Sequence, residues 1–203
     1  MKYNGKWRKC SQAKQDLFVH NLIGKNGTYV EIGGHLPARR SNTYNLVVHE
    51  GWNGFSIEFD KTYQKDWEAC YERNTKVYWG DAITFDYAKA SKDLGFNTHF
   101  NYLSVDIEPP ENTFLALQKV INDGITFDVI TFEHDSYQCD KDFHTKACEF
   151  LLPKGYKVAV YDVWSKRPER LFETWFISEK IDFPRMPFTS WLKSQNLLGT
   201  SYR

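Results

Sequence analysis

Thr28-Tyr29-Val30-Glu31-Ile32-Gly33-Gly34-His35, then Ser41-Asn42-Thr43, then Gly54-Phe55-Ser56-Ile57-Glu58 is the stretch on which the fold turns. An apolar, β-branched run ends in an acid and two glycines. A polar loop leads to a hydroxyl-rich helix start, and a second apolar run closes on another acid. The outline is a βαβ unit that grips a nucleoside. Glycines let the backbone approach a ligand closely and accept positive φ. A helix start at Ser41 offers free backbone N–H groups and a positive dipole end to a carboxylate or phosphate. The acid at the tip of the next strand suits ribose hydroxyls, as in dinucleotide-binding folds.

Two ligands fit such a grip, a dinucleotide and S-adenosylmethionine. The dinucleotide fingerprint G-x-G-x-x-G fails, because Gly34, His35, Leu36, Pro37 and Ala38 follow Gly33. An acid before the first glycine matches the E/D-x-G start of S-adenosylmethionine-dependent methyltransferases better. The bland alternative is a βαβ turn whose glycines serve only the turn.

Outward from this stretch, strands and helices alternate. Ser11 is a plausible N-cap for a helix over 11–23 that carries Leu17, Phe18, Leu22 and Ile23 at helical spacing. After the strand at 28–32 the pattern predicts a helix over 41–50 closed by Gly51, a strand over 54–59 and a charged helix over 61–73. A strand over 75–79 runs into Gly80-Asp81-Ala82. The run Tyr102-Leu103-Ser104-Val105 belongs to a strand over 100–107 buried on both faces. Pro109 keeps Glu108 out of helical geometry, and Pro110 suits a first helical position. That helix ends near Gly124. A strand over 127–132, a helix over 140–152 and a strand over 156–161 complete the alternation. The fold class expected is α/β: a single Rossmann-like domain over 1–203, with a mostly parallel sheet, helices on both faces and right-handed crossovers. The core spans about 11–162. The polar, aromatic tail over 163–203 reads as a cap and substrate region, with a strand over 172–177 and a short helix near Ser190.

The 203 residues suffice for one domain with a real core, and the 26 basic and 26 acidic side chains balance. No net field draws the chain to nucleic acid or to an anionic membrane. Cys10, Cys70, Cys139 and Cys148 form no Cys-x-x-Cys pair, there is no apolar leader, and no run approaches the ~20 apolar residues of a membrane span. A reducing cytoplasm is the expected location. Cys139, His144 and Cys148 lack the tighter ligand pairs of a structural zinc site and read as small side chains packed in a helix. Glu108-Pro109-Pro110-Glu111 has no aromatic with which to stack a flipped base, which disfavours nucleic acid as substrate.

Ligands of open α/β sheets bind beyond the carboxyl ends of the strands. Those ends offer Glu31, Gly33, Gly34 and His35; Glu58 and Phe59; Asp81; Asp106 and Glu108; and Glu133, His134 and Asp135. So many acids on one edge need relief from a cation, from protons or from ligand hydroxyls.

The segments S-Q-x-x-Q-D over 11–16, Tyr29-Val30-Glu31-Ile32-Gly33, Ser41-Asn42-Thr43-Tyr44, Gly51-Trp52-Asn53-Gly54 leading to Ile57-Glu58, and Leu103-Ser104-Val105-Asp106-Ile107-Glu108 occur in this order. With them the chain resembles the FkbM-type methyltransferases over about residues 11–162. Thr131-Phe132-Glu133-His134-Asp135 and Phe172-Glu173-Thr174-Trp175-Phe176 are similar to members of that group too. Pro37 stands where the family usually has a glycine, and Asp106-Ile107-Glu108-Pro109 replaces the usual D-x-E-G. The resemblance implies S-adenosylmethionine as cofactor. Glu31, Gly33 and Gly34 would shape its methionine pocket, with His35 on the same loop, and Ser41, Asn42 and Thr43 would receive its carboxylate. Glu58 would hold the ribose, Phe59 would lie against adenine, and Asp81 would accept from the adenine amino group. Asp106 would sit beneath the sulfonium, while Glu108, Glu133, His134 and Asp135 would face the acceptor. The acceptor implied is a hydroxyl of a sugar or related small molecule.

Bland readings stand beside these. Asp81 suits a turn or a cap, Glu108 a helix N-terminal charge, His35 an exposed loop and His134 a satisfied strand end. For the chemistry, His134 is the candidate base, its pKa expected to rise beside two acids. The rival is Mg2+ or Mn2+ on Asp106 with Glu133 or Asp135. Trp164, Trp175, Phe176 and Trp191 could stack on sugar rings or simply pack. An NAD-dependent oxidoreductase or epimerase, and a non-catalytic nucleotide-binding protein, are the competing functional classes.

Overall fold

Eight strands form one sheet in the order β3-β2-β1-β4-β5-β7-β6-β8 in the computed structural model, which describes residues 7–197. The strands are β1 Thr28–Ile32, β2 Asn53–Glu58, β3 Lys76–Trp79, β4 His99–Val105, β5 Thr126–Glu133, β6 Tyr156–Val163, β7 Glu173–Ser178 and β8 Met186–Pro187. Strands β1 to β5 are parallel, whereas β7 runs antiparallel between β5 and β6. The strand order reverses between β1 and β4, where successive strands are added outward on both sides. That reversal opens a crevice at the carboxyl ends.

The helices are α1 Gln15–Ile23, α2 Tyr44–Glu50, α3 Gln64–Ala69, α4 Tyr87–Asp93, α5 Pro110–Asn122, α6 Phe143–Leu151 and α7 Phe188–Ser194. Side chains of α4, α5 and α6 (Tyr87, Ala116, Leu117, Val120, Ala147 and Leu151) pack on Val30, Ile57, Leu103 and Phe132 of one face. Side chains of α1, α2 and α7 (Leu17, Phe18, Leu46, Trp191 and Leu192) pack on Tyr29, Tyr102, Val129 and Trp175 of the other. Parallel strands covered on both faces read as nearly continuous apolar runs, which is why their positions were legible.

Several boundaries differ from the sequence reading, each for a local reason. Helix α1 starts at Gln15, because the Ser11 hydroxyl donates to Asp16 Oδ1 at 2.5 Å instead of capping a helix, and Lys14 turns left-handed at φ 66. The helix expected from Ser41 begins at Tyr44, since the Ser41 hydroxyl accepts from the Thr43 and Tyr44 backbone N–H groups. The charged helix over 61–73 is a single 3-10 turn followed by α3, which ends at Ala69. Helix α4 had no apolar stripe to announce it, although Asp86 caps it by accepting from Lys89 N–H at 2.9 Å.

The largest difference lies in the tail. Glu173–Ser178 does not lie over the sheet but inside it, as β7. The aromatic side chains proposed for sugar stacking are packing elements. Trp175, Phe176 and Trp191 are buried, Trp175 and Trp191 meet edge-to-face at 5.1 Å, and half-buried Trp164 meets Phe188 edge-on at 5.6 Å. Antiparallel insertion of β7 buries a strand on both faces next to β5, and only large side chains fill the space between sheet and α1.

Candidate active site

A polar rung crosses the sheet one step below its carboxyl edge. Glu31 stands in register with Ser56 on one side and Ser104 on the other, and Ser104 pairs with Thr131. The three hydroxyl-bearing strands then present an acid two residues later, because alternate residues share a face. The pattern is legible in hindsight as Ser56-Ile57-Glu58, Ser104-Val105-Asp106 and Thr131-Phe132-Glu133, a hydroxyl, an apolar residue and an acid at three strand ends.

The rung is held by a residue outside every sequence motif. Arg73 is fully buried and donates to Glu31 Oε2 at 2.7 Å, to Ser41 Oγ at 2.8 Å, to Thr43 Oγ1 at 2.6 Å and to the Pro37 carbonyl. Its guanidinium carbon also stands 4.4 Å from the Trp67 ring centroid. Burial disfavours its charge, but the Glu31 carboxylate outweighs that, so its pKa lies above the ordinary value. Glu31 further accepts from Thr43 at 2.7 Å and from Ser56 at 2.6 Å. The Ser41 and Thr43 hydroxyls expected to receive a ligand carboxylate are therefore spent on Glu31 and Arg73. Glu31 shapes the loop from beneath rather than facing a ligand. An Arg among charged surface residues carries no sequence signal for this role; only the return of the chain after α3 brings it under the loop.

Gly33 shows why that loop begins with glycine. Its φ is +86°, and a Cβ there would stand 1.8 Å from the Asp106 carbonyl oxygen. The close approach is to the neighbouring strand end, with Asp106 N–H donating to Ile32 O at 3.0 Å. Gly34 has Trp67 at 3.1 Å from the same construction. Glu58 is buried and accepts from the backbone N–H groups of His35 at 2.6 Å and Asp60 at 2.7 Å. Each of its oxygens keeps a lone pair for a hydroxyl. Phe59 beside it is 76 % exposed, an open aromatic face at the strand tip. Asp81 behaves as a turn residue, with Oδ1 accepting from Ile83 N–H at 2.9 Å. His35 is half-buried rather than exposed: its carbonyl accepts from Trp67 Nε1 at 2.7 Å and its ring lies 4.3 Å from that of Tyr63.

Around this loop two buried atoms, His35 Nδ1 and Asn42 Oδ1, have no hydrogen-bond partner among the described residues. Asn42 donates to Ser104 Oγ at 3.0 Å, which aims its amide along the crevice. Unpaired buried polar atoms cost about 1–3 kcal/mol each, so they mark a place where a polar ligand belongs. With Gly33, Gly34, Glu58 and exposed Phe59, they suit a nucleoside cofactor.

On the acceptor side Asp106, Glu133, Asp135 and Glu108 form a chain of carboxyl–carboxyl hydrogen bonds, Asp106 to Glu133, Glu133 to Asp135 and Asp135 to Glu108. Burial pushes all four pKa values up, Glu133 furthest, and the charges of neighbouring acids add to it, while the hydrogen bonds received from Glu133 hold Asp106 and Asp135 back in part. Relief here comes from shared protons. Among the described residues no group of three or more His, Cys, Asp or Glu side chains is arranged to hold a metal ion. Asp106, Glu133 and Asp135, the acids expected to hold Mg2+ or Mn2+, pair with one another instead. The same holds of Cys139, His144 and Cys148, where His144 Nδ1 pairs with Thr174 Oγ1 at 2.8 Å.

His134 departs from the expectation of a base with a raised pKa. It is buried, and burial followed by nearby His144 lowers its pKa from 6.5 to about 4. Ser136 N–H approaches Nδ1 at 3.3 Å and the Ser136 hydroxyl at 2.7 Å, so Nδ1 accepts and Nε2 carries the proton, facing Thr174 Oγ1 at 3.1 Å. Both nitrogens are occupied on the side of α6, away from the acids. One acid was missed entirely. Glu173, opposite Glu133 in register, accepts from Gln15 and Trp175 at 2.8 Å each, and burial pushes its pKa to about 8.

A cleft of about 280 Å3 opens over these groups, lined by Gln12, Glu133, Asp135, Tyr137, Lys166, Arg167, Arg170 and Phe172 among others. Asp135 lines it in a left-handed conformation, φ 43, with Gln138 Nε2 donating to its Oδ2 at 2.9 Å. No helix among the described residues is long and apolar enough to cross a membrane.

No protein-family model matches the chain. No curated protein sequence matches it either. Solved structures do. The magnesium protoporphyrin IX methyltransferase ChlM of Synechocystis PCC 6803, with bound SAM, is 10 % identical with a TM-score of 0.57, over 82 % of this chain and 79 % of that one. Aeropyrum pernix fibrillarin with bound S-adenosyl-L-methionine is 13 % identical with a TM-score of 0.56, over 83 % and 75 %. M. jannaschii TYW2 in complex with AdoMet is 11 % identical with a TM-score of 0.53, over 91 % and 80 %. At such identities the likeness speaks for architecture, and it agrees with the strand order: this chain has the mostly parallel, Rossmann-like methyltransferase fold with helices on both faces of its sheet.

Proposed function

We propose that the chain is an S-adenosylmethionine-dependent methyltransferase that methylates a hydroxyl of a sugar or related small molecule. One observation carries this reading: Glu133 and Asp135 line a cleft and link through hydrogen bonds to Asp106 at the end of β4, whose backbone N–H pairs with Ile32 O beside the Gly33 turn. When bound, S-adenosylmethionine supplies an electrophilic methyl carbon whose C–S electron pair leaves on sulfur as the new O–C bond forms. The chain's own residues then have two tasks, alignment and proton removal.

Alignment is worth ~7–11 kcal/mol in such displacements. Here it rests on the loop over 33–43, which Arg73, Glu31 and Glu58 hold rigid. Glu58 keeps acceptor capacity for ribose hydroxyls, Phe59 an open face for adenine, and His35 and Asn42 unpaired atoms for the polar end of the cofactor.

For the proton we assign Glu133 with Asp135 in place of His134. Four acids in one chain do not all ionise together. The carboxylate that remains charged is a stronger base than a free one, because its pKa is raised. It takes the acceptor's proton as the oxygen attacks. The resemblance to FkbM-type enzymes supports a hydroxyl acceptor, as does a cleft floored by acids that hydrogen-bond hydroxyls.

Calorimetry with S-adenosylhomocysteine, NAD and ATP in parallel tests the cofactor. Binding of the first alone is expected, and preferential NAD binding would overturn the reading. A panel of sugars and nucleotide sugars with methyl-labelled cofactor then tests the acceptor, with label in an ether linkage as the expected product.

A further inference from the structure

The cleft over Glu133 and Asp135 has a second wall of opposite charge. The loop from Trp164 to Leu171 leaves β6 and returns to β7 carrying Lys166, Arg167 and Arg170, all exposed at the rim. Both of its ends are fastened at one residue. Phe172 N–H donates to Val163 O at 3.0 Å, while Phe172 O accepts from His134 N–H at 2.7 Å and Asp135 N–H at 3.0 Å. An internal turn, Arg170 N–H to Arg167 O at 2.9 Å, brings the two arginines to one side. The Arg170 guanidinium carbon stands 5.3 Å from the ring centroid of Tyr137, another lining residue. The loop is thereby clamped to the backbone of the acid floor, so cations and acids keep a set spacing across the cleft.

Among the described residues none of the three cations forms an ion pair. Three like charges around one opening repel unless an anion joins them. Glu133 and Asp135 line the same cleft, yet neither forms an ion pair with these cations among the described residues.

We propose that this cleft takes a small-molecule acceptor bearing a phosphate or carboxylate, which Lys166, Arg167 and Arg170 hold while a hydroxyl of the same molecule reaches Glu133 and Asp135. The assignment as acceptor site rests on the methyl-transfer reading; the anion site rests on the loop itself. A small molecule is favoured over a nucleic acid by the volume, about 280 Å3, and by a chain whose 26 basic and 26 acidic residues balance. Guanidinium groups recognise phosphate and carboxylate through forked hydrogen bonds, so Arg167 and Arg170 set orientation and Lys166 adds charge.

The test is calorimetry on the full chain with inorganic pyrophosphate, UDP-glucose, citrate and a single-stranded RNA oligonucleotide, each with and without S-adenosylhomocysteine. At least one small anion is expected to bind, to weaken about tenfold or more in Lys166→Ala/Arg167→Ala and again in Arg170→Ala, and to weaken with salt. Lys180→Ala, on an exposed turn after β7, is expected to change nothing. Pyrophosphate and citrate separate phosphate from carboxylate recognition. S-adenosylhomocysteine affinity is expected to stay within twofold in all variants, which shows that they are folded. Anion binding that is absent, or indifferent to the rim variants while S-adenosylhomocysteine still binds, overturns this proposal and leaves the methyl-transfer reading intact. RNA that binds more tightly than every small anion through the same residues overturns the small-molecule class. Anion binding that needs the rim in a chain that binds no S-adenosylhomocysteine keeps the anion site and overturns its role as acceptor site.

Discussion

Glu31 on β1 and the acids at and beyond the ends of the neighbouring strands β4 and β5 stand on the same sheet edge, and they are relieved in opposite ways. Glu31 is saturated by the Arg73 guanidinium and the hydroxyls of Ser41, Thr43 and Ser56. Among the described residues Asp106, Glu133, Asp135 and Glu108 form no ion pair and lean on one another through hydrogen bonds. The first arrangement is rigid, with every lone pair directed, and supports a loop. The second keeps raised pKa values in an open cleft, which is what proton transfer needs. Identical residue types thus serve as a strut in one place and, in the proposed reaction, for proton transfer in the other, and what separates them is whether a later segment delivers a cation.

Removing the cation breaks the comparison most severely. Arg73→Met leaves Glu31 charged and buried, a loss of about 3–5 kcal/mol that urea denaturation would read as a lower midpoint. Glu31→Gln combined with Arg73→Met should recover part of that loss, because the stranded charge is gone. Equal instability of the single and double variants would count against a strut.

On the proton-sharing side, Glu133→Gln keeps the shape and removes the base. Turnover is expected to fall by roughly 10²–10⁴ with little change in S-adenosylhomocysteine affinity, by steady-state kinetics with the acceptor found in the panel. An unchanged rate would move the base elsewhere.

Glu173 sharpens the comparison through pH. Its folded carboxyl titrates at about 8 against an ordinary 4.5, so the folded state holds a proton that the unfolded state has already lost between those values. Stability is therefore undiminished below about pH 4.5 and declines as pH rises toward 8. Glu173→Gln should match the parent near pH 5 and exceed it by a few kcal/mol at pH 8–9, measured as the difference in thermal midpoint.

His134 gives the smallest effect and the opposite slope. Its folded pKa of about 4 lies below the ordinary 6.5, so the unfolded state takes up a proton first and stability declines as pH falls from 6.5 toward 4. His134→Gln should soften that acid decline and cost less than tenfold in turnover, with no displacement of the pH–rate profile. A shifted profile would restore His134 as the base.

How much of this was legible follows from which forces are local. Apolar runs, Gly51 at a helix end with φ 71, and Pro110 opening α5 expose strands and helices directly, since periodicity and backbone preference act within a few residues. The strand tips follow from topology, which puts Gly33, Glu58, Asp106, Glu133 and Asp135 at or just beyond the carboxyl ends of β1, β2, β4 and β5. Side-chain partners were not legible. His134 and Glu133 are neighbours in sequence, yet one pairs with Thr174 and Ser136 while the other joins the acids.

What this sequence determined by itself is an alternating α/β chain whose strand ends carry glycines and acids, because hydrophobic period and turn chemistry are written residue by residue. Only the tertiary structure decided which acids meet a cation and which meet one another. It brought Arg73 under Glu31, slid β7 between β5 and β6 to set Glu173 opposite Glu133, and clamped a basic loop over the cleft. Charge states depend on burial and on partners distant in sequence, and those distances close only when the sheet does.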